Sequence, residues 1–468
     1  MRVYFVGIGG IGMSGVAGLA KALGMEVFGS DEKELYPPSS ELLRELEIEV
    51  SKPKPERILK LNPDYLVVGN AIRADHPEVL LAQNLGIPLL SFPEFLEKFL
   101  LPGKKSLVIS GTHGKTTTSA LLSFVLDNLG KDPTFLVGGI LKDYGKNFRF
   151  GRGYFCVLEG DEYPSSFFDK HPKFMHYQPY GLIFTSLEFD HADFYKDLST
   201  LKDAFSKLLK LLPEEGILVY HLDDPNLREI ISKTNLPLRK LTYGRDKKAD
   251  YQLIESKGYY QEGEFSTFGK IRDKKGAIFE IRLRIPGLHN LLNALSVLAL
   301  CEELGFEREA ILSALSKFSG VKRRQELVYT NERFVIIDDF AHHPTAVKIT
   351  LGELKKYIRP EKILLFFEPR TNSSKRKIFQ EAYIEALSDA DVIFIKRPPN
   401  LENLPEAERI DLNYLALKLK EKGKKAYIFE RGFPLDRLEL NSKGKTLVVF
   451  MSSASMQEEI ERLIQILS

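Results

Sequence analysis

The sequence predicts an α/β protein with three domains, and three observations support this prediction. The chain has 468 residues, which is too long for one hydrophobic core and suggests about three domains. Apolar strand-like runs alternate with segments of helical periodicity, as in proteins with layered parallel sheets. Two polar breaks interrupt the pattern, at FLLPGKKS (99–106) and near FSGVKRRQE (318–326). We therefore predict domains over residues 1–101, 102–319 and 320–468.

The composition narrows the class of protein. A formal net charge of +2 in a chain with 28% charged residues gives no electrostatic reason to expect a nucleic-acid or membrane partner. No run reaches the roughly 18 apolar residues of a membrane span. The two cysteines, Cys156 and Cys301, lie in apolar runs and indicate buried thiols in a reducing compartment. We expect a cytoplasmic protein, either a monomer or a weak homodimer.

The first block opens with a strand, a glycine-rich turn and a helix. In GIGGIGMSG (7–15) the glycines would let backbone N–H groups approach a pyrophosphate at the positive end of the helix. Asp31 ends the next strand, where a dinucleotide-binding fold places the acid that binds the ribose. The pattern predicts a phosphate-bearing ligand, and a nicotinamide dinucleotide is one candidate.

A second strand, loop and helix begins the next block, in VISGTHGKTTTSALL (108–122). The usual phosphate loop is Gly, any four residues, then Gly-Lys-Ser/Thr, and here Ile109 stands where the first glycine belongs. Gly111 and Gly114 would still free the loop to wrap phosphates. Lys115 would reach the β and γ positions, and Thr116 would ligate Mg²⁺. We predict a magnesium-nucleotide site.

Two apolar strands downstream end in acids and a histidine. Because parallel strands end at the same edge of a sheet, these side chains are expected to lie close together. They favour a site at this edge that binds both a metal ion and the substrate. They are Glu159, Asp161 and Glu162 after YFCVL, and Glu188, Asp190, His191 and Asp193 after GLIFTS.

Three further motifs carry polar residues with more than one interpretation. PGLHNLLNALSVLAL (286–300) places His289, Asn290 and Asn293 in the first turn of an apolar helix. Helix capping explains one asparagine, whereas the set together could bind a base edge.

The other two motifs lie near the second domain boundary. Arg323 and Arg324 in GVKRRQE could clamp a γ-phosphate or form a solvated hinge. His342 and His343 in FVIIDDFAHHPTAV could be functional, or could serve in capping or packing.

Taken in order, these stretches resemble the ATP-dependent Mur ligases of bacterial cell-wall synthesis, over nearly the whole chain. GTHGKT (111–116) is that family's shortened phosphate loop, and GLHNLLN and DDFAHHPT are further marks of it. The resemblance implies a Rossmann-like first domain that binds the UDP of UDP-N-acetylmuramate. It also implies a central P-loop ATPase-type domain that binds ATP, and a Rossmann-like C-terminal domain that binds the incoming amine.

The resemblance also implies a set of site residues. The residues expected to bind the UDP substrate are Gly9, Gly10, Ile11, Gly12, Ser30, Asp31, Asn70 and Ala71. Those expected to bind ATP are Gly111, Thr112, His113, Gly114, Lys115, Thr116, Thr117, His289, Asn290, Asn293 and Arg324. Thr116, Glu159 and His191 are expected to hold Mg²⁺, and His343, Arg370 and Lys375 to contact the peptide. The expected catalytic residues are Lys115, Glu159, His191 and His342.

Two branches of the family fit the sequence. One adds L-alanine to UDP-N-acetylmuramate, and the other, a recycling branch, attaches the tripeptide L-Ala-γ-D-Glu-meso-diaminopimelate. GIGGIGMSG is similar to the alanine branch, whereas DEYPSSFFDKHPKFMHYQP (161–179), with its insertion FFDKHPKFMHYQP (167–179), and FEPRTNSSK (367–375) are similar to the recycling branch. Alanine enzymes also carry an arginine pair that holds the amino-acid carboxylate, where this chain has Thr371 and Ser374. We expect tripeptide ligation, with alanine ligation as the alternative.

The resemblance implies a two-step reaction. The muramate carboxylate attacks the γ-phosphate to give an acyl phosphate, and the amine then displaces phosphate. Relatives often use a carbamylated lysine as a second metal support, but Phe205 stands at that place here, so we expect none. A nicotinamide-dependent oxidoreductase, a non-catalytic nucleotide-binding protein and a folate-polyglutamating relative are the other classes considered.

Overall fold

Three sheets divide the chain in sequence order. The computed structural model describes residues 1–234, 236–430, 432, 434, 437–438, 440 and 442–467. Within this part no helix is long and apolar enough to cross a membrane. The sheets take their strands from residues 2–91, 105–283 and 326–452, and helices cover them.

The first sheet has five parallel strands in the order β3-β2-β1-β4-β5. Its strands are β1 Arg2–Val6, β2 Glu26–Ser30, β3 Glu49–Ser51, β4 Tyr65–Val68 and β5 Leu89–Ser91. Its helices are α1 Ile11–Ala22, α2 Ser39–Glu45, α3 Pro55–Leu61, α4 Pro77–Asn84 and α5 Phe92–Phe99.

The central strand of this sheet is apolar on both faces, which explains its position. Val3 and Phe5 pack into one core cluster, and Tyr4 and Val6 pack into another on the opposite face, as the two-residue period of a strand requires. The strand order reverses between β1 and β4. The crevice at their carboxyl ends is where open α/β sheets bind ligands.

The second sheet has ten strands in the order β15-β14-β13-β12-β11-β10-β6-β9-β7-β8. Its strands are β6 Lys105–Ser110, β7 Thr134–Leu141, β8 Lys146–Arg149, β9 Phe155–Gly160, β10 Pro179–Phe184, β11 Ile217–His221, β12 Arg239–Gly244, β13 Tyr251–Gln261, β14 Glu264–Arg272 and β15 Ile278–Leu283. Its helices are α6 Lys115–Asn128, α7 Leu198–Leu209, α8 Pro225–Lys233, α9 Leu288–Glu303 and α10 Arg308–Leu315, with a 3₁₀ turn at Lys173–His176.

Strand β6 lies between β9 and β10, and all three are parallel. Ser110 pairs with Gly160 on one side and with Phe184 on the other. The loop that follows β6 therefore emerges beside the ends of both strands that carry the predicted acids. The stretch 240–284, expected to be irregular and β-rich, forms the antiparallel extension β13-β14-β15 of this sheet.

The third sheet has six strands in the order β16-β17-β21-β18-β19-β20, parallel except at β16. Its strands are β16 Glu326–Thr330, β17 Phe334–Asp339, β18 Lys362–Glu368, β19 Val392–Lys396, β20 Lys425–Phe429 and β21 Thr446–Ser452. Its helices are α11 Pro344–Ile358, α12 Gln380–Leu387, α13 Leu412–Glu421 and α14 Gln457–Leu467, with 3₁₀ turns at Lys377–Phe379 and Leu401–Asn403.

Close contacts join the central block to both of its neighbours. Asn147 of β8 donates a hydrogen bond from Nδ2 to the carbonyl of Ile11 at 2.8 Å. A Cβ added at Gly18 of α1 would lie 2.1 Å from the ring of Phe148, so only glycine permits this approach. On the other side, Tyr357 of α11 and Thr267 of β14 hydrogen-bond through their hydroxyls at 3.0 Å. These contacts hold the three blocks together around one cavity, which the carboxyl ends of strands from all three sheets face.

Candidate active site

A cavity of about 900 Å³ opens where the three blocks meet. Most of the predicted site residues line it, namely Gly10, Ile11, Gly12, Asn70, Thr112, His113, Gly114, Lys115, Thr116, Thr117, Glu159, His191, His289, Asn290, Asn293, Arg324, His342 and His343. Residues from the first, second and third sheets thus share one space, although up to about 330 positions separate them in the sequence.

Seven predicted residues stand behind the cavity wall or away from it. They are Gly9, Ser30, Asp31, Ala71, Gly111, Arg370 and Lys375. The carboxylate of Asp31 accepts hydrogen bonds from the backbone N–H of Gly9 at 2.8 Å and of Lys33 at 2.9 Å. These two hydrogen bonds stabilise the turn, and ribose binding by Asp31 stays a prediction.

The phosphate loop depends on glycine at two positions. Gly111 has φ +130°, and a Cβ there would lie 2.4 Å from Thr185 Oγ1. Gly114, the N-cap of α6, has φ +81°, and its Cβ would lie 2.8 Å from Asn293 Oδ1. No side chain caps α6. The N-terminus of the helix, with its unpaired N–H groups, can therefore receive an anion.

Lys115 belongs to a buried group of charges beside this loop. Its Nζ donates to the Gly111 carbonyl at 2.7 Å and to Glu162 Oε2 at 2.9 Å. His191 Nε2 lies 3.1 Å from Glu162 Oε1. Burial alone would raise the pKa of Glu162, but Lys115 and His191 outweigh it and lower this pKa to about 2. Burial lowers the pKa of His191, but Glu162 outweighs it and raises that pKa to about 9.

Thr116, Glu159 and Arg324 form a second group at the same edge. Thr116 Oγ1 donates to Glu159 Oε1 at 2.9 Å and accepts from Arg324 Nη2 at 2.9 Å. Burial and neighbouring Asp161 raise the pKa of Glu159. The hydroxyl and carboxylate oxygens of Thr116 and Glu159 are the hard donors that Mg²⁺ prefers, so these two residues fit such an ion.

The two adjacent arginines separate in the structure. Arg324 points to the phosphate loop, whereas Arg323 pairs with Asp338 at 3.3 Å and donates to the Ser452 carbonyl at 2.7 Å. Arg323 thus joins the linker to the third sheet. Only Arg324 is placed to meet a phosphate.

At the start of α9, the polar side chains bind one another through a residue that the sequence did not single out. Gln325 Oε1 lies 3.1 Å from both His289 Nε2 and Asn290 Nδ2, and Asn293 Nδ2 donates to Asn290 Oδ1 at 3.2 Å. Burial lowers the pKa of His289, so the imidazole is neutral. The cluster is a polar wall of the cavity, and neither asparagine caps the helix.

The two histidines of the third block differ in role. His343 is the N-cap of α11 and accepts from the Thr345 N–H through Nδ1 at 3.3 Å, so the capping interpretation holds for it. Nδ1 of His342 lies 3.1 Å from the Phe340 carbonyl. Burial lowers the pKa of His342 to about 4. With Nδ1–H donating to that carbonyl, the neutral imidazole has a free lone pair on Nε2.

Glu188 connects the phosphate loop to the third block. Its carboxylate accepts from Thr345 Oγ1 at 2.7 Å and lies 2.8 Å from His113 Nε2. His113, Glu188 and His343 bring three potential ligand atoms within 4.8 Å of one another. Glu188 and His113 lie within hydrogen-bond distance of each other, and Nδ1 of His343 caps α11 while its buried Nε2 has no partner among the described residues. We interpret the group as an interdomain hydrogen-bond network.

The loop after β18 ends at the cavity. Thr371 lines the cavity, and its hydroxyl donates to Ser374 Oγ at 2.9 Å. Arg370 pairs with buried Glu368 at 3.0 Å, and Lys375 Nζ donates to the Pro399 carbonyl at 2.9 Å. Both expected outer charges therefore already have partners.

Sequence reasoning also missed Lys173, a buried lysine in the cavity wall. It lies in the 3₁₀ turn Lys173–His176, within the segment 167–179 that the sequence analysis compared with the recycling branch. The sequence did offer one signal, because Lys173 stands directly before the apolar residues Phe174 and Met175. A lysine that such neighbours bury almost always has a partner, so it is a candidate for a functional site.

Comparison with known proteins assigns the chain to a family. Three family profiles match in chain order: "Mur ligase family, catalytic domain" over residues 2–102, "Mur ligase middle domain" over 109–301, and "Mur ligase, glutamate ligase domain" over 323–454. The chain therefore belongs to the Mur ligase family. It is an ATP-dependent amide ligase of peptidoglycan synthesis, which favours ligation over the nicotinamide alternative.

Individual relatives fall in both branches. The chain is 33% identical over 405 residues to the UDP-N-acetylmuramate–L-alanyl-γ-D-glutamyl-meso-2,6-diaminoheptandioate ligase of Escherichia coli (86% of each chain). It is also 33% identical over 462 residues to the UDP-N-acetylmuramate–L-alanine ligase of Carboxydothermus hydrogenoformans (98% of this chain, 95% of the relative).

Solved structures divide in the same way. The UDP-N-acetylmuramate-alanine ligase of Thermotoga maritima has a TM-score of 0.82 at 27% identity (100% of this chain, 99% of the other). A murein peptide ligase of Psychrobacter arcticus has a TM-score of 0.73 at 27% identity (100% of this chain, 98% of the other).

Proposed function

We propose that this enzyme joins UDP-N-acetylmuramate to the tripeptide L-Ala-γ-D-Glu-meso-diaminopimelate. In this reaction ATP phosphorylates the muramate carboxylate, and the tripeptide amine displaces phosphate from the acyl phosphate to form the amide. Mg²⁺ bound with ATP would neutralise charge on the phosphates.

The observation that carries this proposal is the pair Thr371 and Ser374. An alanine pocket must hold a small zwitterion, and arginine does so by pairing with the carboxylate through two hydrogen bonds. Here two hydroxyls hydrogen-bond to each other at 2.9 Å beside the cavity, and neither carries a charge. A tripeptide carries its carboxylates farther from the reacting amine, so an uncharged wall near the amine suits it.

The three cavity edges provide one place for each substrate. The turn at Gly10–Gly12 lies at the β1/β4 crevice and suits the UDP group. The N-terminus of α6 suits the triphosphate. The third-block residues around Thr371 face the same space and suit the amine. The muramate carboxylate would then lie between the UDP and ATP sites.

The protein groups can be assigned to distinct tasks. Lys115 and Arg324 stabilise charge on the transferring phosphate, and Thr116 and Glu159 would hold Mg²⁺, with His191 as a further ligand once its proton is lost. His342, neutral at pH 7, accepts the proton that the attacking amine releases.

A test of the function is phosphate release with UDP-N-acetylmuramate, ATP and a set of amines. We expect kcat/KM for the tripeptide to exceed that for L-alanine by at least ~100-fold, equivalent to about 2.7 kcal/mol of transition-state binding. Release that needs no UDP-N-acetylmuramate would contradict ligation itself.

L-alanine ligation is the second candidate. The glycine-rich turn GIGGIGMSG and the TM-score of 0.82 with an alanine ligase favour it. It predicts equal or better turnover with L-alanine in the same assay.

A further inference from the structure

Lys173 is a buried cation that the proposed reaction has not yet used. The residue is 4% exposed and lines the cavity. Its Nζ lies 4.3 Å from the ring centre of Phe92 and 4.1 Å from that of Tyr163. One acid contacts it, Asp161 at 3.2 Å. An ammonium held between two aromatic faces is largely stripped of water, so a second anion would bind to it strongly.

The surrounding backbone holds this side chain in place. The N–H of Lys173 donates to the Tyr163 carbonyl at 3.2 Å, and the N–H of Phe174 donates to the Asp161 carbonyl at 3.3 Å. The ring of Phe174 stacks on Phe205 in the core, at 5.6 Å between centres. The 3₁₀ turn is therefore fixed to the strand end that carries the acids, and Nζ is preorganised.

The location of Lys173 identifies the anion. Phe92, on one side of Nζ, also lies 3.7 Å from the place of a Cβ on Gly12, in the glycine-rich turn. Asp161, which Nζ also contacts, lies two residues after Glu159, whose carboxylate accepts from Thr116 of the phosphate loop. Lys173 thus contacts one residue near each of the two proposed nucleotide sites, and the sugar of a nucleotide bound at the first site would extend past it towards the second.

The acids near the phosphate loop would repel the substrate carboxylate, so its binding requires a nearby cation. A substrate carboxylate that approaches the γ-phosphate is repelled by Glu159, Asp161 and Glu162. All three acids also lie close enough to Lys173 to interact electrostatically with its ammonium group. In the proposed reaction Lys115 and Arg324 are engaged by the phosphates. His191 is assigned to the metal, so among the cavity-lining residues that the structure describes Lys173 is the lysine or arginine that remains.

We propose that Lys173 binds the lactyl carboxylate of the sugar nucleotide and positions it for phosphorylation. This inference rests on the proposed function, since it assumes a muramyl substrate. It also gives the insertion at 167–179 a role in substrate binding, because Lys173 belongs to that segment.

The test is calorimetry with two ligands that differ in the 3-O-lactyl group that carries this carboxylate, UDP-N-acetylmuramate and UDP-N-acetylglucosamine. We expect Lys173→Met to weaken UDP-N-acetylmuramate about tenfold or more, as for the loss of one charge-assisted contact, and to change UDP-N-acetylglucosamine less than about twofold. Lys173→Arg should retain part of the preference. Lys170→Met, an exposed lysine of the same insertion, is the matched control and should change neither.

Loss of the lysine leaves Asp161 without its partner, so the double variant Asp161→Asn/Lys173→Met is measured beside it. The inference requires that the double variant also loses affinity for UDP-N-acetylmuramate. Recovery of wild-type binding in the double variant, equal weakening of both ligands by Lys173→Met, or no weakening would overturn it. A wild-type protein that binds neither sugar nucleotide would instead refute the proposed function.

Discussion

Glu162→Gln tests the buried charge group that supports the phosphate loop. The Glu162 side chain is 1% exposed and contacts both Lys115 and His191. Its pKa is lowered from 4.5 to about 2, a difference of about 2.5 units at 1.36 kcal/mol each, or about 3 kcal/mol. Because the folded pKa is the lower one, this stabilisation is present above pH 4.5 and is lost as the pH falls towards 2.

Hydrogen exchange of the α6 amides in the nucleotide-free protein measures the effect, since a three-domain chain need not unfold in two states. At pH 7 we expect the opening free energy of α6 to fall by about 3 kcal/mol in Glu162→Gln. The matched control is Glu229→Gln. Its carboxylate also has a pKa of about 2, from Lys202 and Lys233, but it lies on the surface, where such pairs contribute little. Equal changes in the opening free energy of α6 in the two variants would refute the claim that the buried pairing of Glu162 stabilises this helix.

Three other predictions concern the nucleotide and metal. Lys115→Ala should abolish ATP-dependent ligation and leave UDP-N-acetylmuramate binding nearly unchanged in calorimetry, because the two sites lie on different sheets; loss of both ligands would contradict this. Glu159→Ala and His191→Ala should each raise the Mg²⁺ concentration for half-maximal activity more than the KM for ATP, and an unchanged Mg²⁺ dependence would remove both from the metal site. The pKa of His191 is raised from 6.5 to about 9, so its ion pair stabilises the apo protein fully below pH 6.5 and is lost as the pH rises through 9. Because Mg²⁺ competes with that proton, half-saturating Mg²⁺ should fall by up to about tenfold per unit between pH 7 and 9, and His191→Gln should flatten the profile in a titration of activity with Mg²⁺.

Local patterns were sufficient to predict the strands and helices that flank the two glycine-rich turns. The helices expected after GIGG and GTHG begin at Ile11 and Lys115. In both places a strand, a glycine-rich turn and an apolar helical period lie within about 15 residues, so neighbouring residues determine the geometry. The predicted acids after β9 and β10 also lie together, because parallel strands end at the same edge.

Contacts across the chain could not be predicted in this way. Gln325 meets Asn290 from 35 positions away, and Lys173 enters the cavity only because a 3₁₀ turn is fixed to the end of β9. The β7–β8 hairpin was not predicted either. It contacts α1 through the hydrogen bond from Asn147 to the Ile11 carbonyl. The hydrogen bonds that Asp31 accepts from Gly9 and Lys33 likewise depend on the folded turn, which the sequence pattern did not specify.

Direct competition between the two amines tests the central claim. Equal concentrations of L-Ala-γ-D-Glu-meso-diaminopimelate and L-alanine are supplied with UDP-N-acetylmuramate, ATP and Mg²⁺, and the initial products are separated by mass. The product ratio then equals the ratio of kcat/KM values. We predict that the tripeptide product exceeds UDP-N-acetylmuramyl-L-alanine by at least ~100-fold. A mixture dominated by UDP-N-acetylmuramyl-L-alanine would contradict the account and place this chain with the alanine-adding ligases.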